Sequence, residues 1–262
     1  MMRHQLYDVN ARAAAAPVQV SDELYAFLRV VQRHRLPCRQ RATNIAAGAV
    51  LRLWHDARES DSPAPPDADA IAAALAHIDI EDLVLDDAAQ TVYFADPEMA
   101  LDVGAVGKGY AVEKTTRAAQ ARGLTSALLN IGGNVRAIGT KPGGKPWTAG
   151  ARIPGAMTRV HTGRRAGRRR QPGHQRRLPA LLCVRRVRYA HLIDLTTGYP
   201  ARYVSSVAVL ARADTGDLAD ALSTGLFCLP EETGQALAAQ NHYAVLWMHP
   251  GETTSRSADW PQ

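Results

Sequence analysis

Apolar positions along the 262-residue chain recur with two different periods, and the change from one to the other marks out the elements. Ser21-Asp22-Glu23-Leu24 opens a helix, with Ser21 as its cap and Leu24, Phe27, Leu28 and Val31 at helical spacing on one face. Ahead of it, Leu6-Tyr7-Asp8-Val9-Asn10 leads into a polar, alanine-rich linker. The pattern lapses between Arg33 and Arg41, then returns from Ala42-Thr43-Asn44 to Trp54. Ser62-Pro63-Ala64-Pro65-Pro66 is a loop, and from about Asp67 to His77 a helix sets Ile71 and Leu75 on one side. The period then shortens. Leu83-Val84-Leu85 and Thr91-Val92-Tyr93-Phe94 flank an Asp-Asp-Ala-Ala turn and predict a hairpin.

Leu101 to Glu113 reads as a short apolar strand, a turn punctuated by Gly104, Gly107 and Gly109, and a helix from about Gly109 to Arg122. Ser126 to Val135 predicts a buried strand ending in the double glycine 132–133, and Lys141 to Pro146 a tight turn. Later elements are a strand at Ser205–Leu210, helices over Asp217–Phe227 and Pro230–Ala239, and a strand at Tyr243–Trp247. Strands and helices mix without βαβ alternation. The fold class predicted is α+β, mixed sheets with packed helices in a single bilobed domain.

Composition supports a folded core, at 46% hydrophobic residues. The formal charge of +6 raises the question of a nucleic-acid partner, and its location answers it. Eleven arginines and no acidic residue lie between Arg159 and Arg188, so the rest of the chain is net acidic. That segment has neither interleaved aromatics nor a helical stripe, which argues against nucleic acid as partner. Cys38, Cys183 and Cys228 have no metal-ligand spacing. No apolar run approaches the roughly 20 residues of a membrane helix, and the first residues carry no signal core, so the chain as written is expected to be cytoplasmic.

Four stretches carry candidate chemistry. A glycine turn between strand and helix either reverses the chain or aims backbone N–H groups at an anion, with Lys108 as a fixed cation and Asp102 as an acceptor. The second stretch is Asn130-Ile131-Gly132-Gly133-Asn134. In the third, His191-Leu192-Ile193-Asp194-Leu195-Thr196-Thr197-Gly198, the histidine is either structural or a general base. The fourth, Ala219-Asp220-Ala221-Leu222-Ser223-Thr224, puts two oxygen side chains four apart, as helix-end residues or as ligands of a hard cation such as Mg²⁺.

In this order the four stretches resemble the ApbE family, the Mg²⁺-dependent FAD:protein FMN transferases, over residues 6–251, with 252–262 as a tail. The resemblance implies an ApbE-like fold and a turn in which Asp102, the Ala105 carbonyl and Lys108 hold FAD diphosphate and metal. It implies that Ala42, Thr43 and Asn44 form the strip that touches the flavin and that Ile193 contacts the cofactor. It further implies that Ala105, Asp220 and Thr224 bind Mg²⁺ and that His191 is the base. The implied reaction moves FMN from FAD, the substrate, to a Ser or Thr hydroxyl in the flavinylation motif of an acceptor flavoprotein, releasing AMP. The alternative is a catalytically impaired or non-catalytic FAD-binding relative.

Residues 33–41 and 156–188 depart from the family pattern. Gly173-His174-Gln175-Arg176-Arg177-Leu178-Pro179 stands where a family strand is expected, and the arginine-rich text around it reads like coding sequence in the wrong frame. Such a segment is expected to be extruded as a surface loop or disordered, at the cost of a strand in the core. Family members are often exported or lipid-anchored, so the resemblance implies a membrane only if a lost N-terminal anchor existed.

Overall fold

A computed structural model describes residues 2–33, 43–153, 156–162, 170–176, 181–184, 187–212, 218–251 and 253–261. In chain order the elements are α1 (Met2–Arg12), β1 (Val18–Gln19), α2 (Asp22–Arg33), α3 (Gly48–Glu59), α4 (Ala68–Leu75), β2 (Leu83–Asp86), β3 (Thr91–Phe94) and α5 (Gly107–Ala121). Then follow β4 (Ala127–Ile131), β5 (Asn134–Ile138), β6 (Trp147–Ile153), β7 (Ala156–Thr162), β8 (Arg170–Arg176), β9 (Leu181–Val184) and β10 (Val187–Ala190). The last are β11 (Ile193–Asp194), β12 (Tyr199–Pro200), β13 (Ser206–Arg212), α6 (Leu218–Phe227), α7 (Glu231–Asn241), β14 (Ala244–Met248) and β15 (Thr254–Arg256). The class is α+β. No helix among the described residues is long and apolar enough to cross a membrane.

The chain forms two compact units, one from residues 1–104 and 180–200, the other from 105–179 and 201–262. In the first, Ser21 accepts from Leu24 N through Oγ and from Tyr25 N through its carbonyl, which starts α2 where the sequence places it. Leu24, Phe27 and Leu28 are then buried as the periodicity requires. Asp67 caps α4 by accepting from Asp69 N and Ala70 N. Strands β2 and β3 pair antiparallel from Leu83 opposite Phe94 to Asp86 opposite Thr91, and β1 adds to the outer edge of β3. A core of Val50, Trp54, Ile71, Ile193 and Leu195 joins α3 and α4 to β11 and the residue after it.

The second unit is built on an antiparallel sheet in the order β15-β14-β13-β8. Strand β14 is buried along its whole length, and β13 is buried from Ser206 to Ala211. Leu210 and Ala208 on β13 and Leu246 and Met248 on β14 join Trp260 in one cluster. Two hairpins, β4–β5 and β6–β7, complete the strands of this unit.

Leu6–Asn10, for which the sequence predicts no element, is part of helix α1, with Val9 wholly buried. Three expectations change. Leu101 does not begin a strand, because its neighbour Ala100 makes only one parallel bridge, to Ala47 beside the start of α3. Strand β4 alternates half-buried and exposed positions, so its apolar residues serve one face of a hairpin rather than a buried sheet. Within the arginine-rich segment, the described residues 170–176 are in a sheet rather than in an extruded loop. Residues 170–176 form β8, paired in register with β13 from Arg176 opposite Ser206 to Arg170 opposite Arg212. Strand β8 lies at the edge of its sheet, the position in which a proline such as Pro172 is tolerated, and β13 supplies the template.

Candidate functional site

In the second unit, α6 sets Asp220 in its first turn and Thr224 one turn later on the same face. Asp220 is 0% exposed, so its charge is costly unless neighbouring donors meet it. Among the described residues three do so, two from the start of α5 and one from β5. The Gly109 N–H donates to Oδ2 at 3.0 Å, the Asn134 side-chain amide donates to Oδ1 at 3.1 Å, and the Lys108 ammonium lies 3.1 Å from Oδ1.

Each donor has a local cause. Helix α5 begins at Gly107, so the N–H of Gly109 is in the first turn, has no acceptor within the helix, and carries the positive end of the helix dipole to the carboxylate. Strands β4 and β5 are joined by Gly132-Gly133 with φ of +58° and +93°, a two-residue turn that needs left-handed backbone at both positions. That turn pairs Ile131 with Asn134 and leaves Asn134 buried against Asp220. Gly132 has a second reason to lack a side chain, since a Cβ there would stand 2.9 Å from Cδ of Lys108. Glu113 on α5 ties the hairpin in place through the Arg136 guanidinium at 3.1 Å, both side chains being buried. The sequence pointed to Lys108 and Asp220 but not to Asn134 or the Glu113–Arg136 pair. The Asn that follows a double glycine was the available signal for the first.

The Thr224 hydroxyl is buried and has no hydrogen-bond partner among the described residues. An orphaned oxygen one turn from a buried carboxylate fits a hard cation, which accepts carboxylate, hydroxyl and carbonyl oxygens together. Ala105 is half-buried in the turn that precedes α5. The described residues contain no cluster of three or more His, Cys, Asp or Glu side chains that could hold a metal ion.

In the first unit, Asp102 is held by its N–H donating to the Ile45 carbonyl at 2.7 Å, while its Oδ1 accepts from Gly104 N at 2.7 Å. Gly48 permits this approach, because a Cβ there would come within 2.5 Å of the Ala100 carbonyl oxygen. Asp102 lines a cavity of about 420 Å³ with Asn10, Arg52 and His55 around an apolar floor of Leu6, Leu51 and Leu101. Thr43 and Asn44 are buried near its wall-forming segment: Asn44 accepts from Ala46 N and donates to the Ile78 carbonyl, closing the turn that starts α3. Ala42 lies outside the described residues.

His191 is half-buried in the bend between β10 and β11. The Ile193 side chain is packed in the core with Trp54 and Ile71. Asp194 shapes the loop that follows, its Oδ1 accepting from Thr196 N at 2.9 Å and its carbonyl from Gly198 N at 2.8 Å. Trp54 Nε1 donates to the Gly198 carbonyl at 2.7 Å and fastens that loop to α3.

The chain as a whole is similar to known proteins. The sequence pattern of the ApbE family matches residues 2–247. A protein of Treponema pallidum named FAD:protein FMN transferase is 34% identical over 87% of this chain and 66% of its own length. One of the same name from Klebsiella pneumoniae is 29% identical over 90% of this chain and 72% of its own. The chain thus spans about two thirds of the length of these relatives. The crystal structure of the ApbE protein of Thermotoga maritima superposes with a TM-score of 0.84 at 25% identity, covering 97% of this chain and 81% of the other. With the match running through nearly the whole sequence, this chain belongs to the ApbE family.

Proposed function

We propose that this chain transfers FMN from FAD to a Ser or Thr hydroxyl of an acceptor protein, with Mg²⁺ bound at Asp220 and Thr224. The observation that carries the reading is the buried Asp220 carboxylate, which draws three donors from α5 and β5 and stands one helical turn from a hydroxyl with no hydrogen-bond partner among the described residues. The names of the relatives supply the substrate and the direction of transfer.

In this reading the second unit holds the metal through Asp220, the Thr224 hydroxyl and the Ala105 carbonyl, and Lys108 meets the FAD diphosphate. The metal would offset negative charge building on the diphosphate. From the first unit, Asp102 with Thr43, Asn44 and the strip at Ala42 serves the cofactor, as does the backbone at Ile193, whose side chain is in the core. The acceptor hydroxyl oxygen forms a bond to the FMN-side phosphorus while the bond from that phosphorus to the bridging oxygen breaks. AMP leaves with the bridging oxygen, and His191 takes the hydroxyl proton.

The test combines the chain with FAD, Mg²⁺ and an acceptor peptide carrying a Ser/Thr flavinylation motif. AMP release with a covalent flavin on the peptide, both lost in EDTA, is the expected result. Asp220→Ala is expected to reduce AMP release by at least about a hundredfold. Undiminished release by Asp220→Ala overturns the metal assignment, and FAD binding without AMP release by the wild type identifies a non-catalytic relative.

A further inference from the structure

The three donors on Asp220 are of different kinds. The Gly109 N–H is part of a helix backbone, and Asn134 is a short side chain on a strand with 2% exposure. The first cannot leave without unwinding the start of α5, and the second is on a short side chain enclosed by its surroundings. Lys108 is a charged head on a four-carbon stem, and its side chain is 35% exposed while Asp220 is 0% exposed. It is the one of the three that can move.

Charge decides what would make it move. A buried carboxylate requires a compensating cation, and Lys108 provides it here. A divalent ion arriving between Asp220 and the Thr224 hydroxyl would provide the same compensation twice over and would repel the ammonium at close range. Two cations cannot both occupy Oδ1 of a carboxylate that already accepts from Asn134. The stem has an exit over Gly132, where the missing Cβ leaves the space its Cδ occupies.

We propose that Lys108 is the stand-in for the metal on Asp220, displaced when Mg²⁺ binds and thereby released to meet an anionic diphosphate. The proposal rests on the metal reading above and adds a coupling to it. Metal entry frees the lysine for the diphosphate, and a diphosphate that draws the lysine away opens Asp220 to the metal. Each ligand therefore raises the affinity for the other. A further consequence is protection of the empty site, because the buried carboxylate is never without a counter-charge.

The test measures Mn²⁺ binding by electron paramagnetic resonance on the ligand-free wild type and on Lys108→Met, Lys108→Arg and Asp220→Ala. Lys108→Met is expected to bind Mn²⁺ about tenfold more tightly than wild type, since the competitor is gone, and Lys108→Arg to stay close to wild type. Lys108→Met is also expected to melt lower than wild type in EDTA and to gain more from added Mg²⁺. Equal or weaker Mn²⁺ binding by Lys108→Met overturns the proposal. A second measurement uses the unaltered chain: acetylation of Lys108 by acetic anhydride, followed by mass spectrometry, is expected to quicken severalfold when Mg²⁺ is added, and an unchanged or slower rate overturns the proposal. If Asp220→Ala binds Mn²⁺ as wild type does, the metal reading itself fails. If it does not and Lys108→Met shows no gain, the stand-in alone fails.

Discussion

Asp194 and Asp220 are both buried aspartates within motif stretches, 6% and 0% exposed, and they are satisfied in opposite ways. Asp194 bonds to the backbone of Thr196, Thr197 and Gly198, its own next residues, and so bends a loop. Asp220 is met by groups 86 to 112 positions away in sequence, from the first turn of α5 and the first residue of β5. A carboxylate that accepts from the backbone two residues on shapes a local turn that many folds could use. One that gathers a cation, a helix N-terminus and an amide from distant parts of the chain is costly to assemble, and the cost is explained when a ligand uses the result. Two acids of equal prominence in the sequence thus differ in how far away these partners lie.

The difference can be broken from the structural side first. Gly198 has φ +73°, and a Cβ there would lie 2.3 Å from Cγ2 of Ile71. Gly198→Ala is expected to lower stability by about 3 kcal/mol through overlap and left-handed backbone strain, measured by urea unfolding. Mn²⁺ affinity, read on the folded fraction, should stay near wild type. Next in size, Asp194→Ala should cost about 1–2 kcal/mol by leaving the Thr196 N–H without its carboxylate acceptor, again with Mn²⁺ affinity within about twofold of wild type. A large loss of metal affinity in either variant would erase the distinction between the two aspartates.

The smallest effect concerns a partly buried carboxylate with a histidine partner. His77 Nδ1 lies 2.8 Å from Asp96 Oδ2, and this bond together with the N–H groups of Glu98 and Met99 holds the Asp96 carboxyl below the usual carboxylate range. Because the folded pKa is the lower one, the contribution is complete above the ordinary aspartate value near 3.9 and fades as the pH falls through the folded value. Asp96→Asn is therefore expected to lose only a few tenths of a kcal/mol at pH 7, and wild type and variant should converge in acid. A loss as large as that of Asp194→Ala would show that exposure is not what separates these pairs.

Much of the fold is legible where the chain supplies its own reasons. Ser21 and Asp67 cap their helices, and the alternation of 83–86 and 91–94 survives as a hairpin because one face has a core to cover. Strand β8 was not legible, since Arg-Gln-Pro-Gly-His-Gln-Arg has no strand period of its own and its pairing is imposed by β13. The site divides along the same line. Asp220, Thr224 and Lys108 announce themselves by chemistry and spacing, whereas Asn134 acquires its role only once the turn at Gly132-Gly133 has folded it back. The double glycine is visible in the sequence, but what it brings together is not.

The bond from the Gly109 N–H to Asp220 belongs to no side chain. An alanine scan passes over it, and among the coded residues only proline at position 109 removes the donor. Any drift in sequence that keeps α5 helical transmits this contact unaltered to descendants. Part of the anchoring of Asp220 is in that sense inherited with the shape of the backbone, and it would persist in relatives whose residues around it had come to differ.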